Sequence, residues 1–317
     1  MSNIKLSVST FSAGKPFADG MSFEEFVRRI AEIGYTGIEL VSAQIVPGYP
    51  YPSDAWIEET KAILKKYNVE LAAYGGYVDV VRFHGRNLTD EEILSFTRND
   101  MVIAHRLGAK VLKTGERIGA HNLRALIPEC ERWGIWIGLE LHGPETLQGE
   151  LWSSYLELFR EDGGKHFGIV PDTGIYQELP NETFVNESLE AGISRDRYDA
   201  IEAGFAAKKP VDELCAELAL NELETGIAQQ MYGKFTTNEL DTMDLTFRYS
   251  RYTHGKYFYI DENLTDRGIN FANIVECMKR QNYDGYLSAE YEGYFHDISV
   301  DTFDQLDRYF RLMKNLI

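Results

Sequence analysis

Short apolar runs alternate with longer amphipathic stretches along almost the whole chain. Apolar runs of strand length are expected at Ile4–Thr10, Thr36–Leu40, Val69–Tyr74, Lys110–Lys113, Ile135–Glu140, Phe167–Asp172, a seventh ending near His254, and Gly285–Glu290. Helical periodicity fills the intervals. One helix starts at Ser22, spaced from Glu25 as in a capping box, and a second covers Asp54–Tyr67. A third starts at Thr89, with Glu92 as its capping partner, and runs to about His105. The stretch Ala125–Arg132 carries Pro128, which predicts a kink or a late start. A closing helix spans Ser299–Leu316. Gly34, Gly108, Gly134 and Gly164 each precede a strand, where a helix ends in a left-handed cap.

Eight strands alternating with helices predict an α/β fold, a (β/α)8 TIM barrel over residues 1–317 as a single domain. The alternative is an open doubly wound sheet with a Gly-rich phosphate loop after its first strand. Thr10-Phe11-Ser12-Ala13-Gly14 does not have the GxGxxG spacing.

One interval breaks the rhythm. His254 follows Asp172 by 82 residues, whereas a βα unit takes roughly 30, so about 50 are extra. A helical insertion, residues 181–240, is therefore expected between strands six and seven. Pro210-Val211-Asp212-Glu213-Leu214 has the Pro and early acids of a helix start. Leu214, Leu218, Leu220 and Leu223 supply an apolar stripe, to be buried against the barrel's helices or another chain. Long excursions of this kind are usually functional, as a lid or a docking surface, and a decorated surface helix pair is the alternative.

The stretch Ile135-Trp136-Ile137-Gly138-Leu139-Glu140-Leu141-His142-Gly143-Pro144 is apolar until it ends in a carboxylate and an imidazole. A strand apolar throughout suits a parallel sheet covered on both faces. Chemistry in α/β enzymes sits at the carboxyl ends of such strands. Asp172 follows Glu140 by 32 residues, and Glu290 follows His254 by 36. These intervals place Glu140, Asp172, His254 and Glu290 each at the end of its own strand, around one mouth. Three carboxylates packed together repel unless a cation sits among them. The donor set is hard and oxygen-rich with one borderline nitrogen. It favours one divalent metal ion, Mn²⁺ first, with Mg²⁺, Co²⁺ or Fe²⁺ also fitting. Four separate surface caps or ion pairs are the alternative.

Composition narrows the partners. The net charge is −18, from 50 acids against 32 bases, which speaks against nucleic acid and against an anionic membrane. No apolar run approaches the ~18 residues of a membrane span. Three scattered cysteines, Cys130, Cys215 and Cys277, contain no CxxC site and suit a reducing, cytoplasmic setting. Met1-Ser2-Asn3-Ile4-Lys5 runs straight into the first strand, with no signal peptide expected.

The motifs Gly34-Tyr35-Thr36-Gly37-Ile38-Glu39-Leu40, Gly138-Leu139-Glu140-Leu141-His142, Val170-Pro171-Asp172-Thr173-Gly174, Thr253-His254-Gly255-Lys256 and Ser288-Ala289-Glu290-Tyr291-Glu292-Gly293 together resemble the xylose-isomerase-like TIM-barrel superfamily. That group includes sugar and sugar-phosphate isomerases and epimerases, and endonuclease IV. The resemblance implies that Glu140, Asp172, His254 and Glu290 bind one divalent metal. The endonuclease branch carries more histidines than the seven present here. Within the superfamily, His254-Gly255-Lys256-Tyr257-Phe258, Ala289-Glu290-Tyr291-Glu292-Gly293 and the insertion before strand seven look like the large α subunit of bacterial C-glycoside deglycosidases. That resemblance implies cleavage of the carbon–carbon bond between a 3-keto sugar and a flavonoid or phenolic aglycone, in complex with a small β subunit. Elimination through an enolate, formed when the sugar's C2 proton is removed, is the expected mechanism for such a cleavage. The alternatives are a metal-dependent ketose or sugar-phosphate isomerase or epimerase, which returns the proton to the sugar, and a non-catalytic sugar-binding subunit.

His142 lies two residues past Glu140 and shares its face if the strand continues. An imidazole there is suited to proton transfer at neutral pH. Lys256 stands in the same relation to His254, and Glu292 to Glu290. Either faces substrate, or the two face each other as an ion pair. Lys113 is placed to bind a substrate oxygen or to form a rim ion pair, and Glu39 is similar. Tyr74, Tyr77 and the Tyr49-Pro50-Tyr51-Pro52 loop offer flat rings to a polyphenol, or pack on the rim. His84, His105, His121, His166 and His296 read as structural or surface residues.

Overall fold

A computed structural model describes residues 3–143, 145–235 and 240–317. Met1 and Ser2, Pro144 after the fifth strand, and positions 236–239 of the insertion lie outside the described residues. Eight parallel strands make one sheet: β1 (Lys5–Ser9), β2 (Gly37–Val41), β3 (Glu70–Gly75), β4 (Val111–Thr114), β5 (Trp136–Leu141), β6 (Phe167–Pro171), β7 (Tyr252–Tyr257) and β8 (Tyr286–Tyr291). Their order is β6-β5-β4-β3-β2-β1-β8-β7. The ring closes between β6 and β7 through a single parallel bridge, Asp172 with His254. The chain forms a nearly closed (β/α)8 TIM barrel.

The principal helices are α1 (Phe23–Ile33), α2 (Asp54–Lys66), α3 (Asp90–Leu107), α4 (Ala120–Ala125), α5 (Ile127–Trp133), α6 (Glu150–Asp162), α7 (Glu182–Glu190), α8 (Arg195–Ala206), α9 (Val211–Glu217), α10 (Glu222–Lys234), α11 (Met243–Arg248), α12 (Phe271–Arg280) and α13 (Thr302–Leu316). The Thr89–Glu92 capping box forms as the spacing predicts. Pro128 gives the late start: the helix breaks at Leu126 and resumes as α5, with the ring in its first turn, where no amide proton is needed. Gly34, Gly108 and Gly134 are left-handed caps. The cap of α6 is Gly163, one residue before the expected Gly164. Strand β7 runs on to Tyr257, three residues past the expected end near His254.

The barrel interior is layered. Trp136, Val170, Tyr252 and Tyr286 fill its lower half. Those large rings need glycine beside them. A Cβ at Gly138 would lie 2.5 Å from the Trp136 ring, and one at Gly37 would lie 2.5 Å from Tyr286. Above them the inward positions turn polar: Glu39, Lys113, Glu140, His254, Lys256 and Glu290. The outward faces of the strands carry Val8, Ile38, Leu40, Leu112, Ile137, Leu139, Ile169 and Leu287 into the main core under the helices.

The insertion consists of α7 to α10. It has a hydrophobic core of its own, built from Phe184, Val185, Tyr198, Ile201, Leu214, Ile227, Met231 and Phe235. The expected burial of the Leu214 stripe against the barrel or another chain is thus corrected: Leu214 packs on Gly204 of α8, where even a Cβ would lie 2.3 Å from it. Leu218 and Leu220 are half-buried in the same core, and Leu223 is exposed. Polar ties join this unit to the barrel loops. Arg267 pairs with Glu202 at 2.5 Å and donates to the Pro180 carbonyl at 2.7 Å. His296 meets Glu187 at 2.6 Å. Among the described residues no helix is long and apolar enough to cross a membrane.

Candidate active site

Each polar residue of the upper layer sits at the carboxyl end of a strand whose alternation aims it inward. Glu39 comes from β2, Lys113 from β4, Glu140 from β5, His254 and Lys256 from β7, and Glu290 from β8. Asp172 directly follows β6. One donor atom from each of Glu140, His254 and Glu290 lies within 4.8 Å of the others. His254 is completely buried. Its Nδ1 lies 2.7 Å from Glu140 Oε1 and 3.1 Å from Glu290 Oε2. Neither approach is directed as a hydrogen bond, so Nδ1 is a buried polar atom without a hydrogen-bond partner among the described residues.

Its other nitrogen is committed. Nε2 donates to Glu39 Oε2 at 2.8 Å, because a carboxylate there can only accept. Glu39 is itself completely buried, and Tyr252 donates to the same oxygen at 3.2 Å. Burial opposes a charge on His254, but Glu290, Glu39 and Glu140 overcome it and raise the imidazole's pKa well above its usual value, so a cation at Nδ1 would take the place of a proton there. A carboxylate behind a histidine is the usual outer partner of a metal-bound imidazole.

Two ammonium groups balance part of the charge. Lys113 Nζ lies 2.9 Å from Glu140 and 4.0 Å from Glu39. Lys256 Nζ lies 3.2 Å from Asp172 and 3.1 Å from Glu292. Burial opposes ionisation of Glu140, but Lys113 and His254 overcome it and hold the carboxyl well below its usual range. Burial likewise opposes a charge on Lys256, and Asp172 and Glu292 overcome it, raising the ammonium's pKa. Burial raises Glu292 to about 7, against the pull of Lys256.

Five carboxylates, Glu39, Glu140, Asp172, Glu290 and Glu292, thus surround two lysines. The lysines leave negative charge over, and a divalent cation at the orphaned Nδ1 would meet the deficit. The residues fit such an ion. Glu140, His254 and Glu290 are already gathered. Asp172 is one step away, held by Lys256 and by the Gly174 amide, which donates at 2.7 Å.

The remaining expected site residues divide. Lys256 and Glu292 form the ion pair that was one of two readings for them, inside the polar layer rather than at its edge. Lys113 contacts Glu140 directly. His142 is exposed at the rim, because β5 ends at Leu141 and the strand does not continue to turn the imidazole inward. Its Nδ1 lies 2.6 Å from the Gly143 carbonyl, which only accepts, so Nδ1 carries a proton. Tyr74 is corrected: it is completely buried beneath the loop after β2, near Tyr49 and Asp100, and has no face to offer a substrate. Glu39 is the residue that sequence reasoning undervalued. Its signal was a lone charge ending the otherwise apolar Gly37-Ile38-Glu39-Leu40 run.

A family profile for xylose isomerase-like TIM barrels matches residues 27–309. The chain belongs to that family. Among curated proteins, this family member is 25% identical to a C-glycoside deglycosidase alpha subunit of Arthrobacter globiformis, an alignment covering 100% of this chain and 93% of the relative. It is 22% identical to a 3'-dehydrocarminate deglycosidase alpha subunit of a Microbacterium species, covering 93% of this chain and 90% of the relative. Its backbone is similar to that of D-psicose 3-epimerase of Clostridium cellulolyticum, with a TM-score of 0.63 at 11% identity, covering 99% of each chain. Such a likeness, at that identity, shows the shared barrel alone.

Proposed function

We propose that this family member is a C-glycoside deglycosidase α subunit, a lyase that separates a 3-keto sugar from a phenolic aglycone by carbon–carbon cleavage. The observation that carries the reading is the gathering of Glu140, His254 and Glu290 around an orphaned imidazole nitrogen, in a chain whose full-length relatives are named deglycosidase alpha subunits.

Glu140, His254 and Glu290, joined by Asp172, would hold one divalent ion, with Mn²⁺ favoured by the hard oxygen-rich set and Mg²⁺ or Co²⁺ also suited. Such an ion supplies Lewis-acid stabilisation of an enolate. The chain's own residues do the rest. Glu39 fixes the His254 tautomer and ring direction. Lys113 offsets the charge of Glu140 and holds it in place. Lys256 has three donors and shares them between Asp172 and Glu292, so it can turn one to a substrate oxygen. His142, exposed at the rim, would take or return a proton at the sugar–aglycone junction through Nε2.

A small β subunit is part of this reading, because both relatives are named as α subunits. The deciding experiment is a product assay on a 3-keto C-glucosyl flavone, with and without a small co-expressed partner. Released aglycone supports lyase chemistry. Turnover of a free ketose with no aglycone released supports the second reading, an isomerase or epimerase, for which Glu140, His254 and Glu290 would hold the same ion.

A further inference from the structure

A cleft of about 650 Å³ opens between α7 of the insertion and the loops that leave β7 and β8. That volume is within the range of sites for drug-sized molecules. It adjoins the polar layer. Phe258, on its wall, has its ring centroid 5.8 Å from Lys256 Nζ, and Lys256 is the residue paired with Asp172 and Glu292. The Phe258 ring meets His296 edge-on at 5.4 Å. Tyr259 adds a second ring. The Tyr291 hydroxyl, on a completely buried residue of the cleft wall, has no hydrogen-bond partner among the described residues.

The other walls are acidic. Glu182, Glu187, Glu190 and Asp297 line the cleft, and among the described residues that line it there is no lysine or arginine. Glu187 meets His296 at 2.6 Å and Glu182 lies 3.7 Å from Arg267, so Glu190 and Asp297 carry most of the uncompensated charge. Flat rings, carboxylate acceptors and an unused hydroxyl match a planar aromatic body carrying phenolic hydroxyls. Hydroxyls donate to carboxylates, and the rings stack or meet edge-on. The same carboxylates repel an anion.

We propose that this cleft seats the aglycone, and that it selects neutral polyhydroxylated aromatic systems over those bearing a carboxylate or sulfate. The assignment rests on the deglycosidase reading for the word aglycone, but the binding itself does not depend on turnover. Sugar and aglycone would then lie on either side of Lys256: the sugar over Glu140, His254 and Glu290, the ring system against Phe258.

Direct binding to the full chain tests it, with 5,7-dihydroxyflavone and its 7-sulfate as probes, followed by calorimetry or fluorescence quenching. The neutral flavone should bind saturably, and the sulfate at least tenfold more weakly. Phe258→Ala should weaken the neutral flavone about tenfold. Glu190→Lys, on an exposed position that the fold tolerates, should close most of the gap between the two probes. Absence of saturable flavone binding overturns the proposal. So does equal binding of both probes, or a Glu190→Lys protein that discriminates as the parent does. The two readings fail separately. Cleavage of a 3-keto C-glycoside with flavone affinity unchanged in both variants sinks the cleft alone. Cleft binding without cleavage sinks the lyase reading alone.

Discussion

His254 donates its Nε2 proton to Glu39 across 2.8 Å at the centre of the barrel. Both side chains are completely buried, so neither can exchange this partner for water. Glu39 therefore keeps a proton on Nε2, which leaves Nδ1 as the nitrogen that can exchange its proton for a cation. Glu39→Gln keeps the volume but replaces a pure acceptor by an amide that can also donate. Metal affinity, measured by competition with a chelating dye, is expected to fall 10- to 100-fold. Nitrogen-15 spectra should show the Nε2–H tautomer of His254 lost from the variant. An unchanged tautomer with unchanged affinity would make Glu39 a packing residue only.

The gathered donors make a graded prediction. Ala substitutions at Glu140, His254 and Glu290 should each remove bound metal, as read by elemental analysis, and leave the barrel folded, since strand-end side chains contribute little to the apolar core. Asp172 separates two geometries. If it joins the ion, Asp172→Ala loses metal like the others. If it serves to anchor Lys256, metal content stays near the parental level and the site has three protein ligands.

His142 stands apart from that group, and its test differs. His142→Ala should retain metal while turnover falls by roughly 10²-fold or more, as for loss of a general acid–base group. The exposed ring holds no core together, so melting temperature should not move. Parental turnover in the variant would leave His142 as a rim residue bonded to Gly143.

The barrel was legible because its strands are apolar runs whose last residue changes to a charge, and because glycine marks three helix exits where expected. The strand ends were legible to within a residue for β5, β6 and β8, which put Glu140, Asp172 and Glu290 at the mouth. What failed depended on where a strand stops. β7 continues three residues beyond His254, drawing Lys256 into the layer. β5 stops one residue before His142, leaving it outside. Periodicity shows a face, and hydrogen bonding decides how far that face extends. Tyr74 failed for a different reason: the loop after β2 folds over the end of β3, a tertiary contact without a local sequence signal. The separate core of the insertion was equally hidden, since an apolar stripe does not state its partner.

That covered region near Tyr74 carries a pH dependence. Burial raises Asp100 to about 7, against 3.8 when exposed. Its Oδ1 has no hydrogen-bond partner among the described residues, and Tyr49 donates to Oδ2 at 3.3 Å. The native state therefore holds the Asp100 proton more tightly than the unfolded chain does. Its contribution to stability is complete below about pH 4, and it is lost as pH rises to about 7. Asp266, also buried, is raised to about 7 and adds a slope of the same sign. Asp100→Asn removes one of the two. Chemical denaturation at pH 5 and pH 8 should show the variant gaining stability relative to the parent at the higher pH. Equal differences at both pH values would show that Asp100 is already ionised in the folded protein at pH 5.

The insertion, finally, should lose structure without the barrel. Its core is distinct from the main one, and Leu214 sits in it almost without exposure, pressed on Gly204. Leu214→Ala should cost about 2–5 kcal/mol within that unit. The barrel strands bury their outward faces under other helices, so they should keep their protection. Hydrogen exchange should therefore speed up across 182–235 and stay unchanged across β1 to β8. The link to function runs through two contacts: Arg267 with Glu202, and His296 with Glu187. Both hold the insertion against the loops leaving β7 and β8, beside Lys256. Loosening it should raise KM for an aglycone-bearing substrate more than it lowers kcat, because Glu140, His254 and Glu290 stand on strands that the change does not reach. If exchange rises equally in the barrel strands, the two cores are one cooperative unit and the insertion does not act as a separate cover.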